Sequence, residues 1–328
     1  MSCSAIGTEL KSPEEKQTLD GDFVFHARRL ESKLMTGPIR QAVIPIIDTH
    51  QHLWDLSKFK LAWLEADSKL NHCYLPEDYA KAADGLNIVK TIYMEVDVEE
   101  SQQTAEARWI LDLCDQSKAF PCAAVISGRP ASEGFKKYLD QFRDRKALKG
   151  VRRVLHSAAT PTGDCLAPRF IAGMHVLGER GLTFDLCIKP TELPNVAKLL
   201  DACKDTSFIL DHCGNPSVGM KAEEFAAWKT GLALVAERKN VVCKVSGFIA
   251  TAKPGEWKTS DLAPVINTVL DTFGPDRVMF GGDWPVCTLG ASLKEWVEAL
   301  QKVVAGRSEA DRKKLFHDNA VRVYKLTV

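Results

Sequence analysis

The chain has 328 residues, 45% of them hydrophobic and 26% charged, which is enough apolar sequence to bury a large core and excludes global disorder. Lys plus Arg and Asp plus Glu number 43 each, so the formal net charge is zero. That balance argues against a dedicated binder of nucleic acid or anionic membrane, which works through excess positive charge.

The first twenty or so residues are polar and lack the apolar core of a signal peptide. No run approaches the ~18–20 apolar residues of a membrane span. Residues 23–36 (FVFHARRLESKLMT) are expected to form a short helix, which Gly37 and Pro38 interrupt. Residues 1–42 thus read as an N-terminal extension and 43–328 as the folded domain. From residue 43 a unit repeats: a short apolar run, polar turn residues, then a longer stretch of helical period. The strands are expected at 43–48, 88–94, 121–126, 148–154, 182–188, 207–211, 240–245 and 277–281. Continuous apolar strands alternating with helices indicate a parallel sheet covered by helices. One helix is expected over 192–204, with Leu193, Val196, Leu199, Leu200 and Cys203 on one face, Thr191 as its cap and Pro194 in its first turn. Segments 221–237, 260–273, 291–305 and 308–320 have the same period. Eight such units point to an α/β fold, a single (β/α)₈ TIM barrel. The rival, an open doubly wound sheet, would carry a glycine-rich phosphate loop after its first strand; Asp48-Thr49-His50-Gln51-His52 stands there instead.

In such a barrel the active site lies at the C-terminal ends of the strands. His50 and His52 are expected to follow the first strand, and positions i and i+2 point the same way, so both imidazoles can face the mouth. Glu95 and Asp97 follow the second strand with the same spacing. Arg152, Arg153 and His156 lie at the fourth, where one arginine turned inward would suit an anionic or carbonyl-rich ligand. The sixth strand runs into Asp211-His212-Cys213-Gly214-Asn215-Pro216. The eighth ends at Gly281-Gly282-Asp283-Trp284-Pro285, whose glycines allow close backbone approach. Because strands one and eight are neighbours in a closed barrel, Asp283 is expected beside His50 and His52. His26, His72, His175 and His317 fall outside strand ends and read as surface or packing residues.

The ordered set DTHQHLWD, IYMEVDV, GVRRVLH, FILDHCGNP, KVSGF and GGDWPVC, closed by HDNAVRVYKL, resembles the amidohydrolase superfamily. In particular it is similar to the amidohydrolase-2, or fuconolactonase-like, branch of sugar-lactone hydrolases, over about 45–327. The resemblance implies a hydrolase that opens a sugar-acid or related lactone. Asp283 would be the general base, His50, His52 and Asp283 the ligands of a divalent metal, and His212 a further catalytic residue. His156, Arg153 and Glu95 would select substituents between apolar walls of Trp54 and Trp284. No carboxylated-lysine candidate ends the fourth strand, where His156 stands, so at most one divalent ion, zinc, is expected, and the alternative is that the imidazoles themselves polarise the carbonyl. A carbon–carbon lyase (decarboxylase) on the same barrel and a non-catalytic binder are the rivals. The intact His50, His52, His212 and Asp283 set speaks against the binder. The implied partner is a small-molecule lactone, with no nucleic acid and no membrane; a homo-oligomer is left open.

The ten cysteines include no C-x-x-C pair, and several, such as Cys187 and Cys243, sit inside apolar runs. Together with the missing export signal this leads us to expect reduced thiols in a cytoplasmic protein. Denatured protein prepared without exposure to air should therefore titrate as mostly free thiol; several stable disulfides would overturn the expectation.

Overall fold

Eight strands pair in chain order, each parallel to the next: β1 (Ile46–Gln51), β2 (Ile88–Met94), β3 (Ala123–Ser127), β4 (Leu148–Val154), β5 (Thr183–Cys187), β6 (Ser207–Leu210), β7 (Val241–Val245) and β8 (Val278–Phe280). The computed structural model describes residues 44–117 and 120–327. The helix expected over 23–36 and the boundary after residue 42 lie outside the described residues.

Helices on the outside join successive strands, and this is a (β/α)₈ TIM barrel. The strand expected over 43–48 instead runs from Ile46 to Gln51, so His50 is a strand residue. The polar end of this strand is tolerated because its neighbours satisfy it. Thr49 donates to the Phe280 carbonyl (2.6 Å), and Gln51 accepts from Thr91 (2.6 Å). The 192–204 segment is helical over Leu193–Ala202, with Pro194 in the first turn. Thr191 is not its cap, because Pro190–Glu192 forms a separate 3₁₀ turn.

Closure of the barrel is made by a few backbone bonds beyond the end of β8. The Asp283 N–H donates to the His50 carbonyl (2.7 Å), and the His52 N–H to the Trp284 carbonyl (2.8 Å). Glycine is required at this seam: a Cβ at Gly282 would lie 2.3 Å from the Asp48 carboxylate, and one at Gly281 2.8 Å from Cβ of His50.

The outward faces of the strands pack on the helices in one large apolar core. A second cluster fills the lower barrel: Ile47, Ile92, Met94, Ile209 and Met279, closed from below by Ala320 and Tyr324 of the terminal helix Asn319–Tyr324. Each large side chain so buried stabilises the fold by roughly 1.5–3 kcal/mol. The upper half of the interior holds polar and charged side chains, which face the mouth.

Between β2 and the helix Gln103–Gln116 lies a buried carboxyl, Glu106. It accepts from the Tyr93 hydroxyl and the Val96 N–H, both at 2.9 Å, through one oxygen, and the other oxygen has no partner. Burial first, and then the nearby charge of Glu95, push its pKa up to about 8, so the folded protein holds it neutral. A folded-state pKa above the unfolded value gives stability that is complete below about 4.5 and is lost as pH rises through about 8. Glu106→Gln should therefore be no more stable than wild type at pH below ~5 and relatively more stable above pH ~8, in urea titrations at both pH values.

Candidate active site

The residues at the upper mouth converge on one carboxylate oxygen. Asp283 Oδ1 lies 3.3 Å from His52 Nε2, 3.6 Å from His50 Nε2 and 4.0 Å from His212 Nε2. All four side chains are buried. Asp283 and His212 both have left-handed backbones, with φ of 55° and 54°. Such strain typically costs ~1–3 kcal/mol for a non-glycine residue and is sustained where the surroundings over-determine it.

Each imidazole is fixed from behind. The Met94 carbonyl, 2.9 Å from His52 Nδ1, can only accept, so Nδ1 carries a proton and Nε2 faces Asp283. His212 Nδ1 is 3.0 Å from the Ser246 hydroxyl. His50 Nδ1 is 3.4 Å from Asp211 and 3.3 Å from Lys244 Nζ. Burial is the first cause that lowers the pKa values of His50 and His212, so both rings favour the neutral form.

Beneath the histidines lies a charge cluster. Lys244 on β7 is fully buried and donates to Asp185 on β5 (2.6 Å), with Asp211 at 3.2 Å. Burial opposes its charge, but these two carboxylates outweigh burial and hold its pKa above the ordinary lysine range. Burial likewise works against Asp211, yet Lys244 first and His50 next hold its carboxyl well below the usual range. Arg152 on β4 donates to the Glu95 side chain and the Glu95 carbonyl, both at 2.6 Å, and its Nη1 lies 3.4 Å from His50 Nε2.

The mouth opens into a cavity of about 490 Å³. Of the residues expected there, His52, His212, Asp283, His156 and Trp54 line it, and His50 lies beneath. His156 stands at the rim, its Nδ1 3.2 Å from the Cys187 thiol. Burial first, then His212 and Arg152, lower its pKa. Three expectations change. Arg153 is not at the cavity: it faces away and pairs with Asp164 at 3.1 Å, and Arg152 takes its place. Strand parity carries that signal, because Arg152, Val154 and His156 share one face. Glu95 does not line the cavity; it is the buried partner of Arg152. Trp284 is not a wall but packs edge-on against Tyr74 and Tyr79 behind the seam.

Lys244, Asp185 and the role of Asp211 escaped the sequence reading. A charged residue inside an apolar strand run, as in VVCKV and TFDLC, is the signal that finds them.

The donor set fits a divalent metal. His50, His212 and Asp283 offer ligand atoms within 4.8 Å of one another. His52 Nε2, 3.3 Å from the same carboxylate oxygen, calls for a proton or a metal ion between the two atoms.

A parallel barrel with a histidine and aspartate mouth is the scaffold expected for either the hydrolase or the lyase reading, and comparison with known proteins makes the class specific. The family model described as amidohydrolase matches residues 47–326. The chain belongs to the amidohydrolase family, in its fuconolactonase-like branch, and is a hydrolase. It is 29% identical over 294 residues to an L-fucono-1,5-lactonase of Burkholderia multivorans, covering 85% of this chain and 96% of that protein. It is 32% identical over 272 residues to a 2-pyrone-4,6-dicarbaxylate hydrolase of Comamonas testosteroni, covering 76% of this chain and 82% of that one. A zinc-bound amidohydrolase structure from Burkholderia multivorans superposes with a TM-score of 0.78 at 26% identity, over 86% of this chain and 100% of that one.

Breaking a buried ion pair by removing one partner typically costs ~3–5 kcal/mol. Lys244→Met should lower stability by about that amount in urea unfolding, and adding Asp185→Asn should restore part of it.

Proposed function

We propose that this protein hydrolyses a lactone, with Asp283 as general base. The observation that carries the reading is the convergence of three imidazoles on the Asp283 carboxylate at the head of the cavity. The lactonase relatives support the substrate class.

Asp283 takes a proton from the attacking water and later returns it to the ring oxygen that leaves. Attack turns the carbonyl oxygen into an oxyanion. The Arg152 guanidinium, held charged by Glu95 and Asp211, and the imidazole of His212 are placed to stabilise it. His156 at the rim contacts the substituents. A divalent metal bound by His50, His52 and Asp283 would polarise the carbonyl and acidify bound water. We read the complement as one zinc ion, because Arg152 and Lys244 stand as permanent cations against His50 and oppose a second one. The cytoplasm is the compartment that fits nine free cysteines among the described residues. Among those residues no helix is long and apolar enough to cross a membrane.

Asp283→Asn tests the base. Asparagine accepts the left-handed backbone that Asp283 adopts, so the fold should survive. It cannot take a proton, and loss of general acid–base catalysis typically costs ~10²–10⁴ in rate. We expect kcat for acid release from a lactone to fall at least ~10²-fold with little change in Tm. His175→Asn, on an exposed helix face, should keep most activity. Near-normal turnover by Asp283→Asn would overturn the assignment, and release of carbon dioxide in place of ring opening would favour the lyase.

A further inference from the structure

The walls of the cavity differ in chemistry from its head. Charged and imidazole groups gather at one end, around Asp283, His212 and Arg152. The apolar side chains of Trp54, Trp63, Leu70, Val154, Val286 and Leu289 line the same cavity. Four large hydrophobic side chains are exposed among the described residues, and two of them, Trp63 (41%) and Leu289 (37%), line this one cavity. Leaving large apolar groups in water is unfavourable, and their concentration at one mouth marks a surface shaped to receive an apolar group.

Beyond the head, four polar side chains line the cavity, Asp97, His156, Ser157 and Asn215, and each is engaged within the protein: His156 Nδ1 lies 3.2 Å from the Cys187 thiol, and the Ser157 hydroxyl accepts from the Ala159 N–H at 3.2 Å. The Asp97 carboxylate pairs with Arg129 at 3.5 Å, and the Asn215 amide donates to the Ile188 carbonyl at 2.7 Å. A polyhydroxylated sugar lactone presents several hydroxyls, each of which loses its water on entry and needs a replacement partner. This cavity offers such partners mainly at its reacting end. Its volume, about 490 Å³, lies in the range that encloses a ligand larger than a single small ring.

We infer that the substrate is a lactone whose ring carries an apolar substituent, alkyl or aryl, which lies against Trp54, Trp63 and Leu289 while the ester faces Asp283. The inference rests on the lactonase reading for its chemistry and on the walls for its selectivity. The bare sugar lactone suggested by the family resemblance lacks the group these walls would bury.

The test compares δ-decalactone, unsubstituted δ-valerolactone and D-gluconolactone by acid release on the full chain. The expected result is a kcat/KM for δ-decalactone at least ~10-fold above that for D-gluconolactone. Leu289→Asp and Trp63→Ser should each lower kcat/KM for δ-decalactone by ~10-fold and leave δ-valerolactone within about twofold. Leu289 is an exposed position, so its variant carries the test even if Trp63→Ser does not fold. Preference for D-gluconolactone, or variants that leave δ-decalactone unaffected, would overturn the proposal. A separate arm reads binding without turnover, as quenching of tryptophan fluorescence by the lactam counterpart of dihydrocoumarin. Saturable binding that Leu289→Asp weakens, with no lactone hydrolysed, would uphold the apolar subsite and sink the lactonase reading. No binding and no turnover would overturn the proposal.

Discussion

The geometry of the mouth depends on a lysine that has no access to water. An ammonium group taken into the middle of a barrel is tolerable only if carboxylates surround it, and Asp185 and Asp211 do so for Lys244. Asp211, drawn to that ammonium, then stands beneath His50 and helps to fix its ring. Arg152 and Glu95 form a second pair of the same kind, on the other side of His50. Between them these charges tie together strands β1, β4, β5 and β7 and the ends of β2 and β6. The imidazoles of the mouth are held where they are because a set of buried charges has to be neutralised.

The seam adds a second constraint. The backbone bonds that join the last strand to the first involve His50, His52, Asp283 and Trp284. The Asp283 residue therefore belongs to the same hydrogen-bonded structure that closes the barrel. Its left-handed backbone is sustained because the residues on either side are committed to that closure. Motion that released Asp283 would also open the barrel, which makes Asp283 a rigid residue.

Much of this was legible in the amino-acid sequence. The strands are continuous apolar runs because both of their faces are buried, and seven of the eight lie within two residues of their expected limits. The first strand was misplaced because its polar end looks like a loop until its cross-strand partners are known. His50, His52, His212 and Asp283 could be named because strand ends in a barrel all face one mouth. Arg152 was distinguishable from Arg153 by parity with His156, and the pattern had been left open. Trp284 was misjudged because an aromatic beside a catalytic residue looks the same in sequence whether it faces the ligand or the helices. The cavity walls were the least legible part. Trp63 and Leu289 come from loops more than two hundred residues apart, and only the folded chain brings them to one cavity.

The terminal helix has a consequence for how the protein is made. Tyr324 and Ala320 close the lower barrel beneath residues as early in the chain as Ile47. A nascent chain that has emerged through β8 has all eight strands and no floor. Until residue 324 leaves the ribosome, Ile47, Ile92 and Met279 face an open end, and exposed apolar surface of this kind invites aggregation. Final closure of the lower barrel therefore waits until residue 324 has been made. A stop at codon 320 would leave every residue of the mouth in place in the sequence, yet remove Ala320 and Tyr324, the floor on which the barrel is assembled.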